Sequence, residues 1–168
     1  MIMNIYEVTV RYERVGEKGL NTKVVEQYII EAKSCAAAEN GLLEMLKSQV
    51  TGGVCEVLSI KRSAVNETVG CDTCPDNDFQ RAIEDAFPIG DQRYYKAKVA
   101  FDFIDELTCK VKKLNKFYFI SAASVEGAHM KLKYYLNASV MDYEVLALSE
   151  TKFIEYVHIT EDGEAVVV

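Results

Sequence analysis

The sequence predicts an α+β protein made by tandem duplication of a β-β-α-β unit, each half an antiparallel or mixed sheet with its helix packed on one face. Three observations predict it. The stretch Tyr28-Ile29-Ile30-Glu31-Ala32-Lys33-Ser34 returns ninety positions later as Tyr118-Phe119-Ile120-Ser121-Ala122-Ala123-Ser124. Ala38, Leu42, Met45 and Leu46, at helical spacing, keep that offset at Ala128, Leu132, Tyr135 and Leu136. Cys55-Glu56-Val57-Leu58-Ser59-Ile60 matches Tyr143-Glu144-Val145-Leu146-Ala147-Leu148 at an offset of eighty-eight, so the second copy is two loop residues shorter. The expected organisation is a first unit over 1–62, an acidic linker over 63–92 and a second unit over 93–168.

Taken in order, Tyr6, Val8, Val10 and Tyr12 alternate with Glu7, Thr9 and Arg11, the pattern of a half-buried strand. A glycine-bearing loop over 16–21 leads to a second extended segment over 24–32, which makes a hairpin. Ser34 can accept a hydrogen bond from an unpaired amide at a helix start, and an amphipathic helix is expected over 36–48. Thr51-Gly52-Gly53 ends it. In 55–61 both alternating sets are largely apolar, which predicts a strand buried on two faces at a central position.

In the linker, Asp78 is the expected cap of a short helix over 79–87 that stops before Pro88. From Tyr95 the order repeats, with Tyr95, Ala97, Val99, Phe101 and Phe103 on one strand face and Lys96, Lys98 and Asp102 on the other. A turn near Asp105, a strand over 110–122, a helix capped by Ser124 and a strand over 143–148 follow. The tail from His158 to Val168 reads as a final edge strand. Antiparallel first and second strands with a returning helix give a sheet order 2-1-3 in each unit.

The chain's 168 residues are 49% hydrophobic and 27% charged, the ordinary globular range, so the core needs no metal or disulfide staple. Neither a charged leader before a long apolar segment nor a run of about 18 apolar residues occurs, and the expected location is the cytoplasm, with no membrane partner. Five cysteines without an export signal are expected to be reduced. The net charge of −7 is concentrated in the linker, which carries one basic against seven acidic groups, whereas 1–62 carries eight of each and 93–168 ten against eleven. That balance argues against a protein held mainly by many phosphate contacts.

The opening Tyr6-Glu7-Val8-Thr9-Val10-Arg11-Tyr12, the closing Val57-Leu58-Ser59-Ile60-Lys61-Arg62, Tyr95-Lys96-Ala97-Lys98-Val99, and Asp142-Tyr143-Glu144-Val145 with Ser149-Glu150-Thr151 carry a resemblance. Over roughly residues 4 to 157 the chain resembles a domain-of-unknown-function family of Bacteroides-type bacteria, their phages and mobile elements. The resemblance implies an accessory protein of such genomes in a bacterial cell. It brings no established activity and therefore no catalytic residue.

The sharpest local signal is Cys71-Asp72-Thr73-Cys74, whose two thiolates could hold two corners of a tetrahedral zinc site. Two more ligands are needed. Cys35, Cys55, Cys109, His129 and His158 are scattered singly, so Cys71 and Cys74 read as incidental linker thiols and no cofactor is expected. No phosphate loop, nucleophile elbow or paired-carboxylate motif stands out, and no enzyme is expected. Aromatic and basic residues interleave on the strands, as in sheets that bind single-stranded nucleic acid. Tyr6, Tyr12, Tyr95 and Phe101 share a face with core residues, which leaves Lys96, Lys98, Lys110, Lys112, Lys113 and Lys116 with Phe117 and Phe119, where the first copy has Gln27 and Ile29.

The leading functional expectation is a non-enzymatic binding module with a protein partner or a second copy of itself. Single-stranded nucleic-acid binding is the alternative. A small-molecule or nucleotide-binding antagonist of host defence is a further one.

Overall fold

Among the residues described by the computed structural model, 2–69 and 92–168, there are two helices and nine strands. The chain runs β1 (Asn4–Val15), β2 (Asn21–Ala32), α1 (Cys35–Leu46), β3 (Gly52–Arg62), β4 (Glu67–Val69), β5 (Arg93–Ile104), β6 (Val111–Ala122), α2 (Val125–Leu136), β7 (Tyr143–Glu150), β8 (Phe153–Ile159) and β9 (Ala165–Val167). It is an α+β protein of two compact units, one formed by Met1–Ala64 with Lys152–Val168, the other by Val65–Thr151.

Alternation along β1 decides the layering of the first unit. Tyr6, Val8, Val10 and Tyr12 are buried, and they meet Tyr28 and Ile30 of β2 and Ala38, Leu42 and Leu46 of α1 in one core. The Ser34 hydroxyl accepts from the Ala37 amide at 3.1 Å and starts α1, satisfying an otherwise unpaired donor. The mixed sheet has the order β3-β1-β2-β8-β9, in which β8 runs parallel to β2 and β9 antiparallel to β8. Val157 and Ile159 of β8 join the same core. The fit is close: a Cβ on Gly41 would lie 2.4 Å from Ile159 Cδ1, so only glycine lets α1 approach β8 this far.

The second unit has the order β4-β6-β5-β7, with β4 parallel to β6 and the remaining pairs antiparallel. Ser124 caps α2 by accepting from the Gly127 amide at 3.1 Å. Ala128, Leu132 and Leu136 cover Tyr95, Ala97, Val99, Tyr118 and Ile120. Corresponding strands keep corresponding registers. Tyr6 stands opposite Ile30 and Tyr95 opposite Ile120; Tyr28 is paired with Glu155 of β8, and Tyr118 with Glu67 of β4.

Three expectations differ from this arrangement. Residues 152–168 belong to the first unit, where β8 pairs with β2 and β9 with β8, although the sequence places them in the second, and residues 67–69 of the expected linker are a strand of the second sheet. Parallel pairing across such separations carries no local sequence signal. The Cys71 and Cys74 pair and the helix expected over 79–87 lie outside the described residues.

The third difference is β3, which lies at the edge, as the order 2-1-3 requires, and not at the central position that its two apolar sets suggest. Its two apolar sets have another cause. The register against β1 shifts between Thr9 and Val10, so Leu58 is an extra residue and Cys55, Val57 and Ile60 all pack on the core. The bulge changes the phase of the alternation, and Leu58 is exposed. A shift between Lys98 and Val99 does the same in β7, where Val145 and Leu148 face inward and Leu146 is exposed.

If β8 is an integral part of the first core, Ile159→Ala should cost about 2–5 kcal/mol of stability. Urea denaturation measures this, and a loss below about 0.5 kcal/mol, the scale of an ordinary surface substitution, would remove β8 from that core.

Candidate functional site

Lys96 and Lys98 project from the face of β5 opposite Tyr95, Ala97 and Val99, and their cross-strand partners on β6 are Phe119 and Phe117. That register brings Lys96 Nζ to 5.6 Å from the Phe117 ring centroid and 5.8 Å from that of Phe119, with Lys98 Nζ 6.0 Å from Phe117. Attraction between an ammonium and the face of a ring holds such pairs. Phe117 is half-buried, whereas Phe119 is only 1% exposed and offers no ring for a partner to stack on.

The other lysines do not join this group. Lys116 points to the helix side of the sheet, its Nζ 5.6 Å from the Phe101 ring. Lys112 bonds the Asp105 carboxylate, which also accepts from the Leu107 amide at 2.9 Å; the lysine foremost, then that amide, holds Asp105 below the usual carboxylate range. Lys113 lies 3.9 Å from Glu144, and Lys110 is exposed in the hairpin loop. The predicted strip thus divides between two faces and a loop, because successive strand residues point to opposite sides.

The hairpin end carries a feature that sequence reasoning missed. Phe103, Ile104, Leu107, Val111 and Leu114 are exposed, Ile104 at 68%, Val111 at 67% and Leu107 at 96%, and Ile104 stands directly opposite Val111. Length explains it for Phe103 and Leu114, on the helix side of the sheet. Strands of this size extend about 40 Å at about 3.4 Å per residue, but a 12-residue helix covers about 18 Å at about 1.5 Å per residue. The available signal was an apolar pattern that continues beyond the reach of α2.

Two clusters of tyrosine and carboxylate lie on the helix side of the sheets. In the first unit Glu26 accepts from the Tyr12 hydroxyl at 2.7 Å and the Tyr28 hydroxyl at 2.8 Å, with Arg14 at 3.3 Å. Burial, then the bond to Glu26, pushes the Tyr12 phenol up to about 12 and the Tyr28 phenol higher. Burial, then the Glu26 charge, also raises the Cys55 thiol and the Glu155 carboxyl.

In the second unit the same framework holds different groups. Lys116 stands opposite Val99 as Glu26 stands opposite Val10, and Phe101 opposite Leu114 as Tyr12 stands opposite Val24. The acid is now Glu67 of β4, which accepts from the Tyr135 hydroxyl. That bond first, then burial, takes the Tyr135 phenol to about 12; burial, then the Glu67 charge, does so for Tyr118. A pocket of about 300 Å³ opens here, lined by Glu67, Phe101, Lys116, Tyr118, Tyr135 and Met141 among others.

Residues 4–159 match the family described as Domain of unknown function (DUF4494). The chain belongs to this family. No curated protein matches it. The DUF4494 match runs from the first residue of β1 to the last of β8, so the strand that returns to the first sheet lies inside the family's domain.

Among the described residues, the other reactive side chains are dispersed. His158 Nδ1 lies 3.0 Å from a Glu31 oxygen that also accepts from the Tyr156 hydroxyl at 2.7 Å, while His129 lines a separate shallow groove with Val125 and Leu146. Among the described residues no three His, Cys, Asp or Glu side chains converge as a metal site, and no helix is long and apolar enough to cross a membrane.

The tyrosine clusters set an alkaline limit. A phenol whose folded pKa is raised from 10.0 to about 12 contributes stability that is whole below pH 10 and lost as pH rises through 12. The urea midpoint should therefore fall across that window, and Tyr12→Phe should shrink the fall. An equal fall in the variant would show that Tyr12 titrates alike folded and unfolded.

Proposed function

We propose that this DUF4494 protein is a non-enzymatic interaction module whose partner is a protein or a second copy of itself, bound through the exposed end of the β5–β6 hairpin. The exposed cross-strand pair Ile104 and Val111, with Leu107 at the turn, carries this reading. Isolated exposed aliphatic residues are ordinary, but Ile104 and Val111, directly opposite each other on the sheet face away from α2 and followed by Leu107 at the turn, group together as interaction sites do. Lys110 and Lys113 stand beside it, so the complementary surface is apolar with an acidic rim.

The matching registers of the two units support an origin by tandem duplication. The resemblance in strand-edge motifs supports an accessory role in a phage or mobile element, in the cytoplasm of a Bacteroides-type host. The reading requires no cofactor and leaves Cys71 and Cys74 as linker thiols. Light scattering of the purified chain and affinity capture from such cells test it. Self-association or one stoichiometric partner is expected, lost at least tenfold in Ile104→Asp and Val111→Asp with unchanged circular dichroism. A lone monomer with no captured partner overturns it.

Single-stranded nucleic-acid binding is the second reading, favoured by the convergence of Lys96, Lys98 and Phe117 on one sheet face. A labelled oligonucleotide should then bind at low salt and weaken as salt rises, with Lys98→Gln reducing the slope. No binding at low salt removes this reading.

A further inference from the structure

The pocket of the 65–151 unit holds donors that the protein leaves unanswered. Tyr118 is only 2% exposed, and its hydroxyl makes no hydrogen bond among the described residues. Every fully buried side-chain oxygen and nitrogen among the described residues has a partner, so the accessible sliver of Tyr118 includes its hydroxyl. Lys116 likewise has no ion pair among the described residues, only the Phe101 ring. The corresponding tyrosine of the other unit, Tyr28, donates to Glu26. Lys116 takes the place of that acceptor and cannot accept, so the donors of both groups are left to whatever occupies the pocket.

The rest of the lining narrows the ligand. Glu67 accepts from Tyr135 through one oxygen, Oε2, and presents a carboxylate beside the same pocket. Its charge balances that of Lys116, so a simple anion would meet Glu67 unfavourably, whereas a zwitterion matches both. Phe101, Leu136 and Met141 supply an apolar wall. A volume of about 300 Å³ lies at the small end of ligand sites.

We propose that this pocket binds a free α-amino acid with an apolar or aromatic side chain, its carboxylate on Lys116 and Tyr118 and its ammonium on Glu67. In the first unit the corresponding positions are joined instead by hydrogen bonds from Tyr12 and Tyr28 to Glu26.

Isothermal titration of the full chain against the free amino acids tests the proposal, with the matching carboxylic acid lacking the amine and the matching amine lacking the carboxylate as further arms. At least one apolar amino acid should saturate the protein at one site, and both truncated analogues should bind at least tenfold more weakly. Tyr118→Phe and Lys116→Met should each weaken the amino acid about tenfold with unchanged circular dichroism. Glu67→Gln should weaken the amino acid but not the carboxylic acid. Absence of binding at millimolar concentration, equal binding of the carboxylic acid, or undiminished binding in the Tyr118 and Lys116 variants overturns it. None of these outcomes bears on the hairpin surface proposed above.

Discussion

A strand that buries Tyr28, Ile29 and Ile30 in succession cannot lie at the edge of a sheet. Burial on both faces takes its backbone away from water, and its amides and carbonyls, which point to both sides of the strand, then need a neighbour on each. β2 meets this need with β1 on one side and β8 on the other; β6, burying Tyr118, Phe119 and Ile120, meets it with β5 and β4. In each case the second neighbour runs parallel, and a parallel neighbour cannot come from a hairpin. It comes from a distant part of the chain: β8 follows β7 of the second unit yet pairs in the first, and β4 follows β3 of the first yet pairs in the second.

These parallel strands also bring the acids. Glu155 and Glu67 arrive opposite Tyr28 and Tyr118, so each unit acquires a carboxylate beside a buried phenol from outside its own hairpin. What the units do with it differs. Glu26 draws both phenols of the first unit into a closed set of hydrogen bonds. Lys116 cannot accept from a phenol as Glu26 does, Phe101 lacks the hydroxyl of Tyr12, and a pocket lies here. Similar strand registers thus carry unequal polar satisfaction in the two units.

Much of the fold was legible because its signals are local. Alternation placed Tyr6 to Tyr12 and Tyr95 to Phe101 on core faces, Ser34 and Ser124 cap the helices, and the hairpins pair as their loops imply. The candidate strip was less legible. Lys96 and Lys98 do meet Phe117, but Lys116 lies on the other face, and Lys112 is held by Asp105. Sequence proximity groups lysines that the pleat separates. Bulges at Leu58 and Leu146 likewise reverse alternation midway along a strand, and nothing in the residues themselves marks the shift.

By itself, the sequence determined the α+β class, the two hairpins, the capped helices and the faces that form each core, since periodicity, capping and turn chemistry act over a few residues. Only the tertiary structure decided that the tail completes the first sheet and that 67–69 enter the second. It also decided that β3 and β7 carry bulges, that Ile104 and Val111 stand exposed opposite each other, and that Tyr118 and Lys116 share a pocket with Glu67. Those outcomes depend on parallel pairing, register and the convergence of residues far apart in the chain, and none of these has a local pattern to betray it.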